Sequence, residues 1–295
     1  MTVHFKKVAI IGVGLIGGSL AIALRRKGLA DAIVGIGRGL ANLGAATRLG
    51  VVDAVTQDIG AGVDDADLVV VAVPVLRIAE SVRKAAPNLK QGCILTDVGS
   101  VKQSVIDEVA PLIPPGVHFV PGHPIAGTEN SGVEAALPDL FMGHTCILTP
   151  VENTDGNALE AIKTMWQEAG AKVIIMDPAM HDRALAAVSH LPHMIAYTLV
   201  NTIADIRKKM PDILDYSAGG FRDFTRIASS SPEMWSDICA MNKASIITTI
   251  MDFRKRLDDL KGKLESGDIA GLREDFEMAK RLRDTLIEKS CVSKK

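Results

Sequence analysis

Short apolar segments alternate with amphipathic stretches of helical length through the first 177 residues. The apolar segments are rich in β-branched residues and lie at Val8–Ile11, Ala32–Ile36, Leu68–Val73, Ile94–Asp97, His118–Pro121, Thr145–Thr149 and Lys172–Met176. Helical spacing occurs between them at Leu15–Lys27, Asn42–Leu49, Val75–Ala86, Val101–Leu112 and Ala158–Ala169. This alternation is typical of a parallel sheet with helices on both faces. We therefore predict a mainly parallel α/β domain over residues 1–177.

The pattern changes after Asp177-Pro178, where no further strand is predicted. His181–Lys209 has helical spacing, and Pro192 within it is expected to kink or break the helix. An apolar stripe at alternating spacings of three and four follows, formed by Ile250, Phe253, Leu257, Leu260 and Leu264. Ser266–Asp268 ends that helix, and Ile269–Glu288 predicts another. We therefore predict an all-α domain over residues 178–295, in which the stripe is either internal core or a dimer interface.

The composition indicates a globular protein of two domains. Of the 295 residues, 47% are hydrophobic and 23% are charged, which permits a large buried core. The net charge of −2 and the aromatic content of 4% provide neither a basic surface nor stacking rings for nucleic acid. The four cysteines form no C-x-x-C pair and have no histidine at zinc spacing. This pattern disfavours a disulfide framework or structural zinc and favours a reducing, cytoplasmic setting.

The segment Val8–Leu24 admits two interpretations. Lys6 and Lys7 precede this uncharged stretch, which contains Ala21-Ile22-Ala23, so the components of a secretory signal are present. The stretch also contains four glycines, each of which would weaken a continuous helix. A strand, a glycine turn and a helix account for all four, and we favour that interpretation. No later segment is long and apolar enough to predict a membrane span.

A G-x-G-x-x-G motif, Gly12-Val13-Gly14-Leu15-Ile16-Gly17, lies between the first predicted strand and the first predicted helix. Such glycines allow a tight turn and bring a pyrophosphate close to the backbone N–H groups at the helix N-terminus. The next predicted strand lies where a βαβ unit needs it, so the motif predicts dinucleotide binding by a Rossmann-like domain. A purely structural glycine turn is the alternative.

The end of the second strand indicates which dinucleotide is used. In NAD enzymes an acidic residue about 20 positions after the motif commonly binds the adenosine ribose. Here Gly37 occupies that position, and Arg38 follows at once. A guanidinium suits the 2′-phosphate of NADP, so we expect both residues to contact the cofactor and NADP to be favoured over NAD. Arg38 as a solvated turn residue is the alternative.

Three further motifs are candidates for chemistry: Asp97-Val98-Gly99-Ser100-Val101-Lys102, Gly122–Glu129 and Ser189–His193. The first two lie on loops after predicted strands, where ligands bind in open α/β sheets. A histidine on such a loop, His123, with Ser100 to orient it, is a reasonable acid–base pair. A histidine that only stabilises its loop is equally compatible with the sequence.

These motifs, in unbroken order from about Lys7 to Leu264 and together with Gly220–Ala228, resemble the prephenate/arogenate (cyclohexadienyl) dehydrogenase family. The blocks around His123 and Arg226 are more specific than the glycine motif. The resemblance implies oxidative decarboxylation of prephenate, arogenate or both, with hydride transfer to NAD(P)⁺, in tyrosine biosynthesis. Which of the two substrates is preferred stays open.

The resemblance also implies roles for individual residues. His123 matches a histidine that hydrogen-bonds the 4-hydroxyl group of the substrate, and Ser100 matches the serine beside it. The residues assigned to substrate binding are His193, Arg226, Thr128 and Glu129. Arg226 matches a carboxylate-binding residue, a task that suits the guanidinium fork. Glu129 is equally compatible with a solvated loop acid.

Other residues have structural interpretations. His190 and His193 are three apart but have no third ligand at suitable spacing, so no metal is expected. His190 is instead a candidate structural histidine, and Trp235 is a candidate core or interface residue. Lys102 is either a surface charge or a group that faces an anionic ligand.

Two other functions are compatible with the glycine motif. One is a different reductase that combines a Rossmann domain with a helical domain and acts on a β-hydroxyacid or an imine. The other is a non-catalytic NADP-binding sensor. Neither explains the His123 and Arg226 blocks together. For partners, the apolar stripe predicts a homodimer, and we expect a small-molecule substrate but no nucleic-acid or membrane partner.

Overall fold

The computed structural model describes residues 3–128 and 130–292. The chain divides into two compact units, one ending at Lys243 and the other beginning at Ala244. The segment Val8–Leu24 forms most of a strand, a glycine turn and most of a helix, which confirms that interpretation of it. In the described part of the chain, no helix combines the length and the apolar composition needed to cross a bilayer.

A parallel sheet lies at the centre of the first unit. Its strands are β1 Phe5–Ile11, β2 Ala30–Ile36, β3 Ala54–Thr56, β4 Leu68–Val71, β5 Ile94–Asp97 and β6 His118–Val120. They are ordered β3-β2-β1-β4-β5-β6. Ile11 at the end of β1 is in register with Ile36 of β2 and Val71 of β4, so these three strands end at the same edge. The order reverses between β1 and β4, and such a point is where open α/β sheets bind ligands.

Helices follow most of these strands. They are α1 Leu15–Arg26, α2 Leu40–Arg48, α3 Ile59–Val63, α4 Ile78–Ala85 and α5 Gln103–Val109. All of β4 is buried, which requires that both faces of the sheet be covered. The α/β prediction is confirmed, although β3 and α3 were missed because both are too short to show a periodic pattern.

A second, smaller sheet follows in the chain. It contains β7 Gly122–Pro124, β8 Thr145–Leu148 and β9 Lys172–Ile175, with α6 Gly156–Glu168 between β8 and β9. β7 runs antiparallel to β8, and β8 runs parallel to β9. Residues 118–124 therefore contribute strands to two different sheets, whereas the sequence predicted one strand at His118–Pro121. This change of sheet directs the chain after Pro121 away from the central sheet.

The remainder of the first unit is helical, as predicted. Its helices are α7 Pro178–Leu185, α8 Leu191–Arg207, α9 Gly219–Thr225 and α10 Pro232–Met241. A π-helical turn, Ala186–His190, joins α7 to α8 just before Pro192. Proline has no N–H to donate, so the α-helical hydrogen-bond pattern is interrupted there, as the sequence predicted.

The second unit contains α11 Lys243–Ser266, apart from its first residue, and α12 Ile269–Val292. Gly267 between them has φ +70°, the left-handed conformation that commonly ends a helix. Lys263 forms an ion pair with Asp275 across this turn. Leu257 and Leu264 of the apolar stripe are 48% and 62% exposed, so these positions are not internal core.

Candidate active site

A cleft of ≈ 1090 Å³ lies at the carboxyl ends of β1, β2 and β4. Its lining includes Gly12–Gly14 after β1, Ile36–Gly39 after β2 and Ala72–Pro74 after β4. The cleft therefore occupies the point where the strand order reverses, which the glycine motif predicted as the cofactor site.

The glycines of the motif make room for a ligand. Gly12 has φ +99°, and a Cβ atom on it would lie 2.2 Å from the carbonyl oxygen of Ala72. A Cβ atom on Gly17 would lie 2.2 Å from the carbonyl oxygen of Gly12, so α1 packs closely on the turn. A Cβ atom on Gly14 would meet nothing within 4 Å. The backbone at the start of α1, where Leu15 and Ile16 follow, is therefore open to the cleft and fits a dinucleotide pyrophosphate.

The far end of the cleft carries cationic side chains. Gly37 and exposed Arg38 line it at the end of β2. Arg77 and Lys84 line it as well, and both pair with Glu80, at 3.1 and 2.9 Å. Arg77 and Lys84 were not predicted as site residues, because they follow β4 outside any motif.

His123 is the middle residue of β7, and its imidazole begins a chain of hydrogen bonds that ends on a carboxylate. Nδ1 of His123 lies 2.9 Å from Nε2 of His181, and Nδ1 of His181 lies 2.8 Å from Oδ1 of Asp182. All three side chains are buried. Asp182 also accepts hydrogen bonds from the backbone N–H groups of Lys102 (2.8 Å) and Gln103 (3.0 Å). The carboxylate is therefore fixed at the start of α5.

This relay of Asp182, His181 and His123 sets which ring nitrogens carry protons. A carboxylate can only accept, so Nδ1 of His181 donates to Asp182 and Nε2 of His181 becomes an acceptor. Nδ1 of His123 then donates to that nitrogen, and Nε2 of His123 keeps its lone pair. This is the tautomer that a general base requires.

Burial holds the pKa of His123 well below its usual range. The charges that His181, Lys102 and His190 carry when protonated lower this pKa further. The imidazole of His123 is therefore neutral at neutral pH, so its lone pair is available to accept a proton.

A buried ion pair lies beside the relay. The ammonium group of Lys102 binds Oδ2 of Asp97, and both side chains are fully buried. Lys102 Nζ also donates to the carbonyl oxygen of Gly122 at 2.7 Å. Asp97 accepts the N–H groups of Gly99 (2.8 Å) and Gly122 (3.2 Å). The interpretation of Lys102 as a surface charge is therefore wrong, because its ammonium group is buried and bound by protein groups.

His193 lies near the start of α8. Its Nδ1 donates to the carbonyl oxygen of Ser189 at 2.9 Å, and its ring stacks on Trp235 with the centroids 3.7 Å apart. Burial lowers the pKa of His193, the nearby charge of Arg226 lowers it further, and the bond to Ser189 opposes both. Arg226 itself is exposed in the 3₁₀ turn after α9. The structure thus brings these two predicted residues close together.

His190 is a buried hydrogen-bonding histidine, as predicted. Its Nδ1 lies 3.2 Å from Nδ2 of Asn242, which also donates to the carbonyl oxygen of Asp182 at 2.8 Å. Burial lowers the pKa of His190 to about 4. Its ring meets Trp235 edge-on, so Trp235 is a core residue between two histidines, which confirms the core interpretation.

Two other predicted site residues, Ser100 and Thr128, lie on loops. Ser100, half-buried, is in the loop between β5 and α5, and the ion pair of Lys102 and Asp97 ties this loop to the residue before His123. Thr128 is exposed, and its Oγ1 accepts the N–H of Asn130 at 3.2 Å. Glu129, also assigned to substrate binding, lies outside the described residues.

His181 and Asp182 were not predicted as site residues. They are 58 and 59 positions after His123 and belong to no motif that was singled out. The one available signal was an adjacent histidine and aspartate near the helix start at Asp177-Pro178. Across the residues that the structure describes, no group of three or more His, Cys, Asp or Glu side chains is arranged to hold a metal ion.

The chain is similar to known proteins over nearly all of its length. Residues 20–175 match the family model for the prephenate dehydrogenase nucleotide-binding domain, and residues 177–278 match that for the prephenate dehydrogenase dimerization domain. The chain is 40% identical over 287 residues to a cyclohexadienyl dehydrogenase of Zymomonas mobilis, and this match covers 96% of each protein. It is 37% identical over 280 residues to a prephenate dehydrogenase of Bacillus subtilis, and this match covers 95% of this chain and 76% of that protein.

A solved structure shows the same likeness in three dimensions. The crystal structure of prephenate dehydrogenase from A. aeolicus, in complex with hydroxyphenyl propionate and NAD+, matches this chain with a TM-score of 0.92 and 36% identity. The match covers 97% of this chain and 100% of that one. Together with the two family models, this likeness leads to one conclusion: the chain belongs to the prephenate dehydrogenase family.

Proposed function

We propose that this protein catalyses the oxidative decarboxylation of prephenate, arogenate or both, with hydride transfer to NAD(P)⁺. The observation that carries this proposal is the relay of Asp182 and His181, which leaves a lone pair on Nε2 of buried, neutral His123. Such a base suits the loss of a hydroxyl proton. The family and its relatives with prephenate and cyclohexadienyl activities support the same substrate class.

The reaction requires the protein to position the substrate and the nicotinamide and to provide a proton acceptor. The nicotinamide, when bound, supplies the hydride acceptor. His123 Nε2 takes the proton of the 4-hydroxyl group as the carbinol carbon is oxidised. The bond to the ring carboxylate breaks, CO₂ leaves, and the electron pair of that bond enters the ring, which becomes aromatic as the 4-oxygen takes a proton back. Aromatisation supplies the driving force, so the protein contributes mainly by holding the reacting groups in place.

The remaining site residues bind the substrate. We assign the hydrogen bond beside His123 to Ser100 and the substrate's anionic groups to His193 and Arg226. A guanidinium binds a carboxylate through two parallel hydrogen bonds, so Arg226 suits that task. Thr128, on the loop that follows β7, and Glu129 complete the proposed set.

Steady-state kinetics with both substrates and both cofactors test the function. Absorbance at 340 nm should rise while prephenate or arogenate is consumed and the corresponding aromatic product forms. A protein that binds NADP but leaves both substrates unchanged would be a sensor, and turnover of β-hydroxyacids or imines alone would indicate a different reductase. Either result would contradict the proposal.

Replacing Arg226 by alanine should raise KM by about 10–100-fold and change kcat much less. The substrate carboxylate is present in both the ground state and the transition state, and a charged hydrogen bond to it contributes about 1.5–3 kcal/mol. Arg226→Lys is the matched control and should restore only part of the loss, because lysine lacks the planar fork. Loss of turnover at saturating substrate in Arg226→Ala would show that Arg226 acts in the chemical step.

We further propose that NADP is used at least as well as NAD. Gly37 has no carboxylate to bind the ribose, and the cations that line the cleft suit an additional phosphate. Replacing Gly37 by aspartate should lower the preference for NADP over NAD by about tenfold or more, through repulsion of the 2′-phosphate.

The substitution requires a small local adjustment. A Cβ atom on Gly37 would lie 3.2 Å from Cδ2 of buried Leu43, so one of the two must shift by a few tenths of an ångström. Gly37→Ala adds the same Cβ atom without the charge and should keep the wild-type preference. The ratio of kcat/KM for the two cofactors is the measurement, and a wild-type protein that does not use NADP would contradict the proposal.

We propose that residues 178–295 form the helical substrate-binding and dimerisation domain and that the protein is a homodimer. The apolar side chains of α11 and α12 that remain exposed support a second copy as the partner, and they include Ile250, Leu257, Leu264, Phe276 and Leu282. The match of residues 177–278 to a dimerization domain supports the same assignment.

Light scattering at micromolar concentration should give twice the mass of one chain. Replacing Leu257 by glutamate should shift the protein towards the monomer, because the substitution places a charge in an apolar interface. Lys255→Glu, at an exposed polar position of the same helix, is the matched control and should leave the mass unchanged. A stable wild-type monomer would exclude the dimer.

We infer a cytoplasmic location for the enzyme. Cys93, Cys146 and Cys239 are free thiols, which suits a reducing compartment.

A further inference from the structure

The ion pair between Lys102 and Asp97 has no place in the reaction proposed above, yet it is among the most deeply buried polar features of the described residues. Both side chains are fully buried. Replacing such a pair by apolar residues of similar volume often leaves stability unchanged or raises it, so stability alone gives little reason for burying two charges.

The contacts of the pair converge on one residue. Asp97 accepts the N–H of Gly122, and Lys102 donates to the carbonyl oxygen of Gly122. Both backbone polar groups of that glycine are therefore held by the same ion pair. A Cβ atom on Gly122 would lie 3.2 Å from the backbone oxygen of Asp97, so the approach is close. The next residue in the chain is His123.

The pair also fixes the loop on the other side of the site. Asp97 ends β5 and accepts the N–H of Gly99, while Lys102 is the residue before α5. Ser100 lies between these two points. One buried ion pair thus connects the two backbone segments that carry Ser100 and His123, which come from different sheets.

We propose that Lys102 and Asp97 are positioning residues, which clamp Gly122 by its N–H and its carbonyl group and so set the place of His123 relative to Ser100. This inference rests on the proposed function, since it assumes that His123 is the base. A misplacement of about 1 Å of a reacting group can cost about 10²-fold in rate, so the loss of such a clamp is measurable.

The electrostatics of the site agree with this role. The groups around the imidazole of His123 are His181 and Asp182 of α7, His190 of the π-helical turn, and Lys102 and Asp97 beside β7. The cation of Lys102 disfavours protonation of His123, and Asp97 opposes that effect. Removal of Lys102 alone should therefore raise the pKa of His123.

The test compares Lys102→Met with the double variant Lys102→Met/Asp97→Asn. The single variant leaves a buried carboxylate without its cation and should be less stable, whereas the double variant removes both charges and should recover thermal stability. In both variants we expect kcat to fall by about 10²-fold, with KM for the substrate and Kd for NADP changed much less. In the single variant the acid limb of the pH–rate profile should also move to higher pH.

Amide hydrogen exchange provides a readout that does not depend on turnover. Exchange at Gly122 and His123 should quicken by about tenfold or more in the double variant, as expected for loss of a charge-assisted hydrogen bond. Lys90→Met is the matched control. Lys90 forms an ion pair of 2.7 Å with Asp67, and Asp67 also accepts two backbone N–H groups. This pair resembles that of Lys102 and Asp97 but lies at the amino end of β4, away from Gly122. Lys90→Met should change neither kcat nor the exchange rates at Gly122 and His123.

The outcomes separate the two proposals. A folded double variant with wild-type kcat, or with unchanged exchange at Gly122 and His123, overturns the positioning role of the pair. Recovery of kcat together with stability in the double variant also overturns it, since that result is expected of a purely structural pair. A wild-type protein that turns over neither prephenate nor arogenate overturns the proposed function instead, and this is established before any variant is made.

Discussion

Replacing His123 by asparagine is expected to lower kcat by about 10²–10⁴-fold, the usual contribution of a general base, with little change in KM. Asparagine keeps a polar side chain that can still hydrogen-bond the 4-hydroxyl group and His181, but it cannot take a proton at neutral pH. Binding should therefore survive while proton transfer is lost.

Steady-state kinetics across a pH series check this expectation. The pKa of His123 lies well below its usual value, so kcat/KM in the wild type should stay constant down through about pH 6.5 and fall only at lower pH, where the base is protonated. This acid limb should disappear in His123→Asn. His144→Asn, at an exposed histidine before β8, is the control and should behave as wild type. Near-normal kcat across the pH range in His123→Asn would exclude His123 as the base.

Replacing Asp182 by asparagine is expected to lower kcat by about 10²-fold or more, although Asp182 does not contact the substrate. Asparagine has one acceptor oxygen and one donor amide, so it cannot accept from Lys102, Gln103 and His181 in the same arrangement. If the amide faces His181, both histidines of the relay take the opposite tautomer and Nε2 of His123 carries a proton. A reversed tautomer of this kind costs about 10⁴-fold in a serine protease.

The measurement is again kcat against KM, together with the Kd for NADP as evidence that the fold is intact. Asp177→Asn is the matched control, because Asp177 accepts the N–H of Met180 at the start of the same helix and asparagine caps helices almost as well. It should leave kcat unchanged. If Asp182→Asn keeps the wild-type kcat and its pH dependence, the relay does not orient the base.

Much of the fold could be predicted from local sequence patterns. The apolar segments at Val8–Ile11, β4 and β5 are continuous because nearly all of these residues are buried, so their burial is visible in the sequence. The glycine motif placed the cofactor cleft, since the steric demands of Gly12 and Gly17 exclude a side chain. Pro192 similarly predicted an interruption of the helix, because its missing N–H is a local property.

The short elements could not be predicted in this way. β3 has three residues and α3 has five, too few to display a period. The change of sheet between His118 and Pro124 depends on which partners the two strands find, β5 for one and β8 for the other. Pairing across many residues of chain leaves no pattern within the segment itself.

The sequence by itself determined the α/β and helical halves, the dinucleotide cleft, and His123 as a candidate base, because each follows from periodicity, glycine sterics or a local motif. Only the tertiary structure decided which contacts would allow His123 to act as a base. The contact with His181, 58 residues further along the chain, selects its tautomer, and the burial of Lys102 against Asp97 and Gly122 fixes its place. Tautomer and pKa depend on distances between side chains and on exclusion of water, and those quantities exist only once distant segments have packed together.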